Sequence, residues 1–326
     1  MNRKSVLVIT LTFVLICMLT LQFRIERVKG ETIVSGHISS DTLWTLADSP
    51  YIVVGDVIVD TGVTLTIEPG VAIKFTSRKN LVVDGMLVAQ GNSIHRISFT
   101  SNATTPIPRD WGKIIFRGLR IVLDYVDIEY ADIGISVEVG GQNASISNSV
   151  ISRCGIGLKE WNDALVTTHN VTMKENVDIA LYCRADGSEF DHFTKTKIIN
   201  NEGYGIYAVG SFLLSESEVS NNSYWGVYLF TGLATIIDSV ISGNTEYGIY
   251  GSFNISNGVF SYNKGTAIRG EGYIMQSDIL NNLGDGIEAY GDLEARYNNI
   301  FNNTGYDFRA GYGSSGKNFN ATYNWW

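Results

Sequence analysis

Seven aromatic residues recur at fixed offsets from a repeated glycine, and their type and spacing suit contact with a ligand. Tyr204, Trp225 and Tyr247 stand directly before Gly205, Gly226 and Gly248, while Tyr182, Tyr207, Tyr228 and Tyr250 stand two residues after the same repeat position. On one outer face they would form a strip on which sugar rings stack through their apolar C–H faces. The structural alternative is that stacked rings only brace neighbouring repeats. Two acidic arrangements could instead act on a sugar chain. Glu216 and Asp238 each lie six residues before a repeated asparagine. Stacked in adjacent repeats they would approach the ~5 Å of a retaining glycosidase pair. Lys195 holds the same register one repeat earlier and Glu218 faces Lys197 in a parallel row, which equally makes a solvated charge ladder. Asp191 and His192, with Arg184 and Asp186 close in sequence, have the residue types of a lyase that uses calcium ligands and a base to remove a sugar proton. The same residues also fit a loop in an irregular repeat.

The repeat must position these groups. Gly-Ile or a close variant recurs at Gly134, Gly157, Ala180, Gly205, Gly226, Gly248, Ala267, Gly286 and Asp307, in steps of 19 to 25 residues. Four residues before seven of these positions stands an asparagine: Asn176, Asn201, Asn222, Asn244, Asn263, Asn282 and Asn303. An apolar residue precedes each asparagine by three (Met173, Ile198, Val219, Ile241, Phe260, Ile279, Ile300) and another follows it by five. The period is too short for helix-pair solenoids, and β-branched residues with Asn and Gly in short polar turns deny a helical stripe. The predicted fold is all-β: a right-handed, single-stranded parallel β-helix with about 22 residues per coil. Stacked coils would pair the asparagines amide to amide, making them a structural ladder rather than a catalytic signature. Glycine four residues later is expected to let the backbone bend back into a strand. Less regular strand-like segments such as Val57–Ile67 and Leu81–Ala89 supply the first coils, so residues 31–118 read as cap and irregular coils and 119–326 as regular coils.

Residues 1–30 read as a separate segment, because a basic start runs into an apolar stretch from Ser5 to Phe23. That pattern is a cleavable export signal or a membrane anchor, and it predicts a secreted or cell-surface protein. A bulky Ile16 before Cys17 argues against lipid attachment there. Removing this segment takes five Lys/Arg and one Glu away, so the formal charge of −9 becomes −13 and nucleic acid is an unsuitable partner. The remaining Cys154 and Cys183 are too few for a disulfide framework, and their offsets from the repeat glycine predict free thiols. Asn-x-Ser/Thr sequons at Asn102, Asn143, Asn170, Asn221, Asn254, Asn302 and Asn320 are glycosylation candidates or turn asparagines of the coils.

The stretch Gly36 to Phe75, with its Gly-Val-Thr-Leu-Thr-Ile-Glu-Pro-Gly-Val segment, resembles the N-terminal region of exported archaeal and bacterial parallel β-helix repeat proteins. The Asn…Gly-Ile coils resemble the same superfamily, related to pectate lyases and to NosD-like carbohydrate-binding and sugar-hydrolase domains. The ending Asn324-Trp325-Trp326 is similar to the family's Asn-Trp-Trp-Gly element, after which further modules commonly follow. Polygalacturonase and alginate-epimerase acidic motifs are missing, and a copper role like that implied by NosD finds only four scattered histidines. No cofactor or metal is indicated; calcium is compatible with an enzyme of this kind but has no acidic cluster. The leading expectation is a non-catalytic surface protein that is structural or binds polysaccharide or cell-envelope glycans. The alternative is a polysaccharide lyase or glycoside hydrolase. Self-association along the solenoid is the further partner expectation.

Overall fold

A computed structural model describes residues 30–118, 120–138, 143–161, 164–184, 190–311 and 315–326. The segment read as signal or anchor, Cys17 and Asp186 lie outside the described residues. Among the described residues no helix is long and apolar enough to cross a membrane.

The described residues from 31 to 326 form one parallel β-solenoid, with each strand of the interior coils pairing in parallel to its equivalents one coil before and one coil after. Alternation decides which side chains enter it: Thr64–Ile67 and Ile249–Ser256 both alternate buried and half-buried residues along their length. Identical positions therefore stack inside, as in Val219, Ile241, Phe260, Ile279 and Ile300, all fully buried. Coiling starts at once, since Thr32–Ile38 pairs with Tyr51–Val59. Arg120–Asp124 pairs with both Met86–Gln90 and Asn143–Ser147, so the coils on either side of residue 119 share one sheet. Trp111, unplaced by the repeat pattern, is core: it stacks on Phe75 at 4.1 Å and donates its indole N–H to the Glu129 carbonyl.

The seven asparagines are buried to half-buried and form a continuous chain of Nδ2–H···Oδ1 bonds of 2.8–3.1 Å from Asn176 through to Asn303. Each Oδ1 also accepts a backbone N–H from the preceding coil, and the interior members donate a second Nδ2 hydrogen to a carbonyl. In the coil just before Asn176, one of the two that lack the asparagine, Cys154 holds the position and its N–H donates to Asn176 Oδ1. The glycines that follow act differently from the bend expected of them. Gly205, Gly226, Gly248 and Gly286 do not have positive φ. A Cβ on Gly226 would lie 2.6 Å from the Gly248 carbonyl and 2.7 Å from Asn244 Nδ2, so glycine is there to let the ladder and the next coil approach.

Sharp bends are made elsewhere, by two left-handed residues per coil. One row runs through Asn170, Lys195, Glu216, Asp238, Asn257 and Gln276, and a second through Glu175, Asn200, Asn221, Gly243, Tyr262, Asn281 and Asn302. Three-residue strands such as Lys197–Ile199 and Val240–Ser242 lie between them. Just after the first row comes another buried polar ladder, in which Thr196 N–H donates to Ser217 Oγ and Ser217 N–H to Ser239 Oγ. Farther on, Ser277 N–H donates to Asn298 Oδ1 and Asn298 N–H to Asn324 Oδ1.

Cys154 and Cys183 are free and buried. Burial pushes the Cys154 thiol up to about 12 and raises Cys183 as well, with Asp191 and Glu160 adding to the second. Both should resist a thiol reagent at pH 8 in the folded protein and react once it is denatured. Prompt labelling of either thiol before denaturation would contradict this burial.

Candidate functional site

Strand alternation turns Ile206, Val227 and Ile249 inward, so the tyrosines that follow them face out. The register then builds an outer row of Lys159, Tyr182, Tyr207, Tyr228, Tyr250 and Arg269, continued at its two ends by the buried Ser136 and Glu288. Tyr204, Trp225 and Tyr247 make a second row beside it, each one position before its glycine, aligned by Gly205 N–H to the Trp225 carbonyl and Gly226 N–H to the Tyr247 carbonyl. All seven rings are half-buried.

The rings do not lie flat. Tyr182 and Tyr207 are parallel within 6° at 5.5 Å, and Tyr228 and Tyr250 within 16° at 5.4 Å. That is too close for two rings side by side in one plane, so they are offset-stacked with faces toward each other and edges outward. Trp225 breaks this pattern, standing at 61° to Tyr228, 88° to Tyr247 and 45° to Tyr250. Three rings that the repeat spacing did not select extend the face. Trp161 lies 5.6 Å from Tyr182, Tyr224 lies 4.6 Å from Tyr204, and Tyr290 lies 5.6 Å from Tyr250. Their signal was weak: Trp161 and Tyr224 fall just outside strands, and Tyr290 lies within Ile287–Arg296 where the register to the preceding coil shifts.

A cation closes each end of the tyrosine row. Lys159 Nζ sits 4.1 Å from the Trp161 ring centre and 5.1 Å from that of Tyr182, and burial lowers its pKa. Arg269 lies over Tyr247 and Tyr250, donates to the Tyr247 hydroxyl at 2.6 Å and pairs with Glu288 at 3.1 Å. Burial, with the neighbouring Tyr224, pushes the Tyr204 phenol up to about 12; burial also raises Tyr182 and Tyr228. These hydroxyls therefore stay protonated at neutral pH, able to donate and accept.

The carboxylate candidates are placed apart from this face. Glu216 and Asp238 are both left-handed corner residues of one row, with φ 49° each. Lys195 lies 3.6 Å from Glu216, Asn257 donates to Asp238 at 2.9 Å, and Lys197 pairs in register with Glu218. Asp191 and His192 are not in a loop but in the strand Asp191–Thr194, where alternation buries Asp191 and exposes His192. The two therefore point to opposite faces and cannot share one substrate. Asp191 accepts the Val166 N–H at 2.8 Å, and burial, then the charge of Glu160, raises its pKa well above the carboxylate range. Among the described residues no three His, Cys, Asp or Glu converge as metal ligands. Asn102, Asn143, Asn170, Asn221 and Asn302 are exposed, while Asn254 and Asn320 are half-buried on outer strand faces.

With the coils and this face in place, comparison with known proteins is direct. Residues 36–156 match the pectate-lyase like beta helix domain. Protein bark beetle of Drosophila melanogaster is 39% identical over 92 residues, 27% of this chain, and the chain spans 3% of that protein's length. Among solved structures, a double mutant of the periplasmic alginate epimerase AlgG superposes with a TM-score of 0.58 at 11% identity, over 88% of this chain and 84% of the other. AlgG itself gives 0.51 at 12% identity, over 87% and 84%. At such identity the likeness is one of fold. The aromatic rows lie largely C-terminal to the matched segment, in coils the family model does not reach.

Proposed function

We propose that this protein is an extracytoplasmic β-solenoid whose aromatic face binds a glycan without cleaving it. The observation that carries the reading is the unbroken row Tyr182, Tyr207, Tyr228 and Tyr250 with Trp225 set across it. Bracing alone explains parallel tyrosines. It does not call for an indole turned out of the stack, nor for protonated phenol edges presented along several coils. Coils ~4.8 Å apart nearly match the rise of a sugar residue in an extended chain, so a glycan lying along the axis would meet a hydroxyl or ring at almost every unit. Single contacts are weak and a series of them gives useful affinity. The solved relatives' action on alginate is in keeping with a polysaccharide partner for this fold.

The test replaces Trp225 and Tyr228 together by alanine, leaving Val227 to hold the strand, and measures retention on a panel of acidic and neutral polysaccharides. Retention should fall steeply while the β-sheet circular dichroism is kept. Unchanged retention with a lowered melting temperature would reduce the face to bracing. Release of chain fragments from any polysaccharide by the purified protein would favour the lyase or hydrolase alternative.

A further inference from the structure

Two short coils open a trough on the next face round. Equivalent positions advance by 22 residues from Phe212 to Ala234, by 19 to Phe253, by 19 again to Gly272, then by 21 to Leu293 and 26 to Phe319. In the short coils one strand runs straight on into the next, giving Ile249–Ser256 and Ile268–Met275, whereas the preceding coil breaks between Val227–Thr231 and Ala234–Ile237. The missing residues are loop, so the surface steps down beside Leu233 on one side and Asn318 on the other and encloses about 520 Å³.

Glycines let the coils beneath and beside the trough pack closely, and Gly272 itself lines it. A Cβ on Gly270 would lie 1.8 Å from the Gly251 carbonyl and one on Gly272 would lie 1.9 Å from the Phe253 carbonyl, both at positive φ. Gly291 leaves the space that the Glu271 carboxyl fills, since a Cβ there would lie 1.7 Å from Glu271 Oε2. Along the trough runs the outward row Asn254, Tyr273, Glu294 and Asn320. Tyr273 is 56% exposed. Among the described residues no other ring packs on it, in contrast to the stacked tyrosines of the aromatic face. Glu271 accepts from Ser252 at 3.1 Å, Asp292 from the Asn318 N–H at 2.9 Å, and Glu294 pairs with Arg296 at 2.7 Å. Each of these bonds engages a single carboxylate oxygen.

We infer that the trough is a second carbohydrate site, separate from the aromatic face and selective for neutral glycans. Tyr273 offers a free ring for the apolar face of a sugar, and carboxylate and amide oxygens on the same wall accept from its hydroxyl pairs. Three carboxylates on the lining set it against uronates, whose own charge would be repelled. This reading does not depend on the aromatic face, so the two are tested apart.

Titration of the full chain with xylohexaose, cellohexaose and mannohexaose, and with a hexauronate of alginate, decides it by calorimetry and saturation-transfer NMR. At least one neutral hexaose should bind, should lose about tenfold or more in affinity in Tyr273→Ala, and should keep its affinity in the Trp225→Ala/Tyr228→Ala protein. Glu271→Gln should narrow the preference over the hexauronate. No binding of any neutral hexaose at millimolar concentration, equal binding of the hexauronate, unchanged affinity in Tyr273→Ala with its fold intact, or unchanged discrimination in Glu271→Gln would each overturn the proposal.

Discussion

Replacing Asn244 by leucine should lower the stability of the solenoid by on the order of 4 kcal/mol, a loss visible as an early transition in thermal or urea unfolding. The size follows from how many groups lose partners. Asn244 Oδ1 accepts both the N–H and the Nδ2 hydrogen of Asn222, and its own Nδ2 donates to the Val219 carbonyl and to Asn263 Oδ1. Leucine leaves the N–H and one Nδ2 hydrogen of Asn222 buried and unmatched and takes a donor from the Val219 carbonyl, at roughly 1 kcal/mol or more each, while Asn263 Oδ1 keeps only the backbone N–H of residue 244. It must also fit against Gly226, where even a Cβ would come within 2.7 Å of the Asn244 amide nitrogen. Because each coil contacts chiefly its neighbours, the damage should stay local at first, with coils toward Thr32 unfolding later. Asn303 offers an internal comparison. It lies at the C-terminal end of the ladder, donates to Ile279 O and to Asp307, and is half-buried, so Asn303→Leu should cost clearly less. An Asn244→Leu protein that unfolds at the wild-type urea concentration would refute the ladder as a main support of the fold.

The asparagine ladder was legible because one residue type recurs at a fixed offset, and a buried amide has few substitutes that can both give and accept along the axis. The second ladder shares a fixed offset, five residues before the asparagine, yet mixes Thr196, Ser217, Ser239, Ser277 and Asn298. Any side chain with an oxygen at the right reach serves there, so identity alone hides it. The corners were hidden for a similar reason: Lys195, Glu216 and Asp238 all adopt positive φ, and read as charges they suggested chemistry rather than geometry. Repeat spacing correctly brought the seven aromatic residues to one face, but the tilt of each ring depends on its neighbours' packing and cannot be read from offsets. Coil length carried a further message. The two 19-residue steps look like minor irregularity in sequence, and in three dimensions they remove the loops that would otherwise fill the trough.

Asp191 gives the clearest pH dependence. In the unfolded chain it ionises in the ordinary carboxylate range, whereas in the folded protein burial and nearby Glu160 hold its proton to a much higher pH. Below the ordinary range both states are protonated and the residue contributes no pH dependence. As pH rises above that range the unfolded chain alone loses the proton, which favours unfolding by about 1.4 kcal/mol per pH unit until the raised folded pKa is passed. The contribution of Asp191 to stability should therefore decline as pH rises above the ordinary carboxylate range. Asp191→Asn removes the titration while its side-chain oxygen can still accept the Val166 N–H. It should match the wild type near pH 4 and exceed it by a growing margin as pH rises, because the asparagine has no proton to lose. Denaturant unfolding of both proteins across this range is the measurement. Two stability curves that run parallel from pH 4 to pH 8 would mean that Asp191 is not held protonated in the folded solenoid.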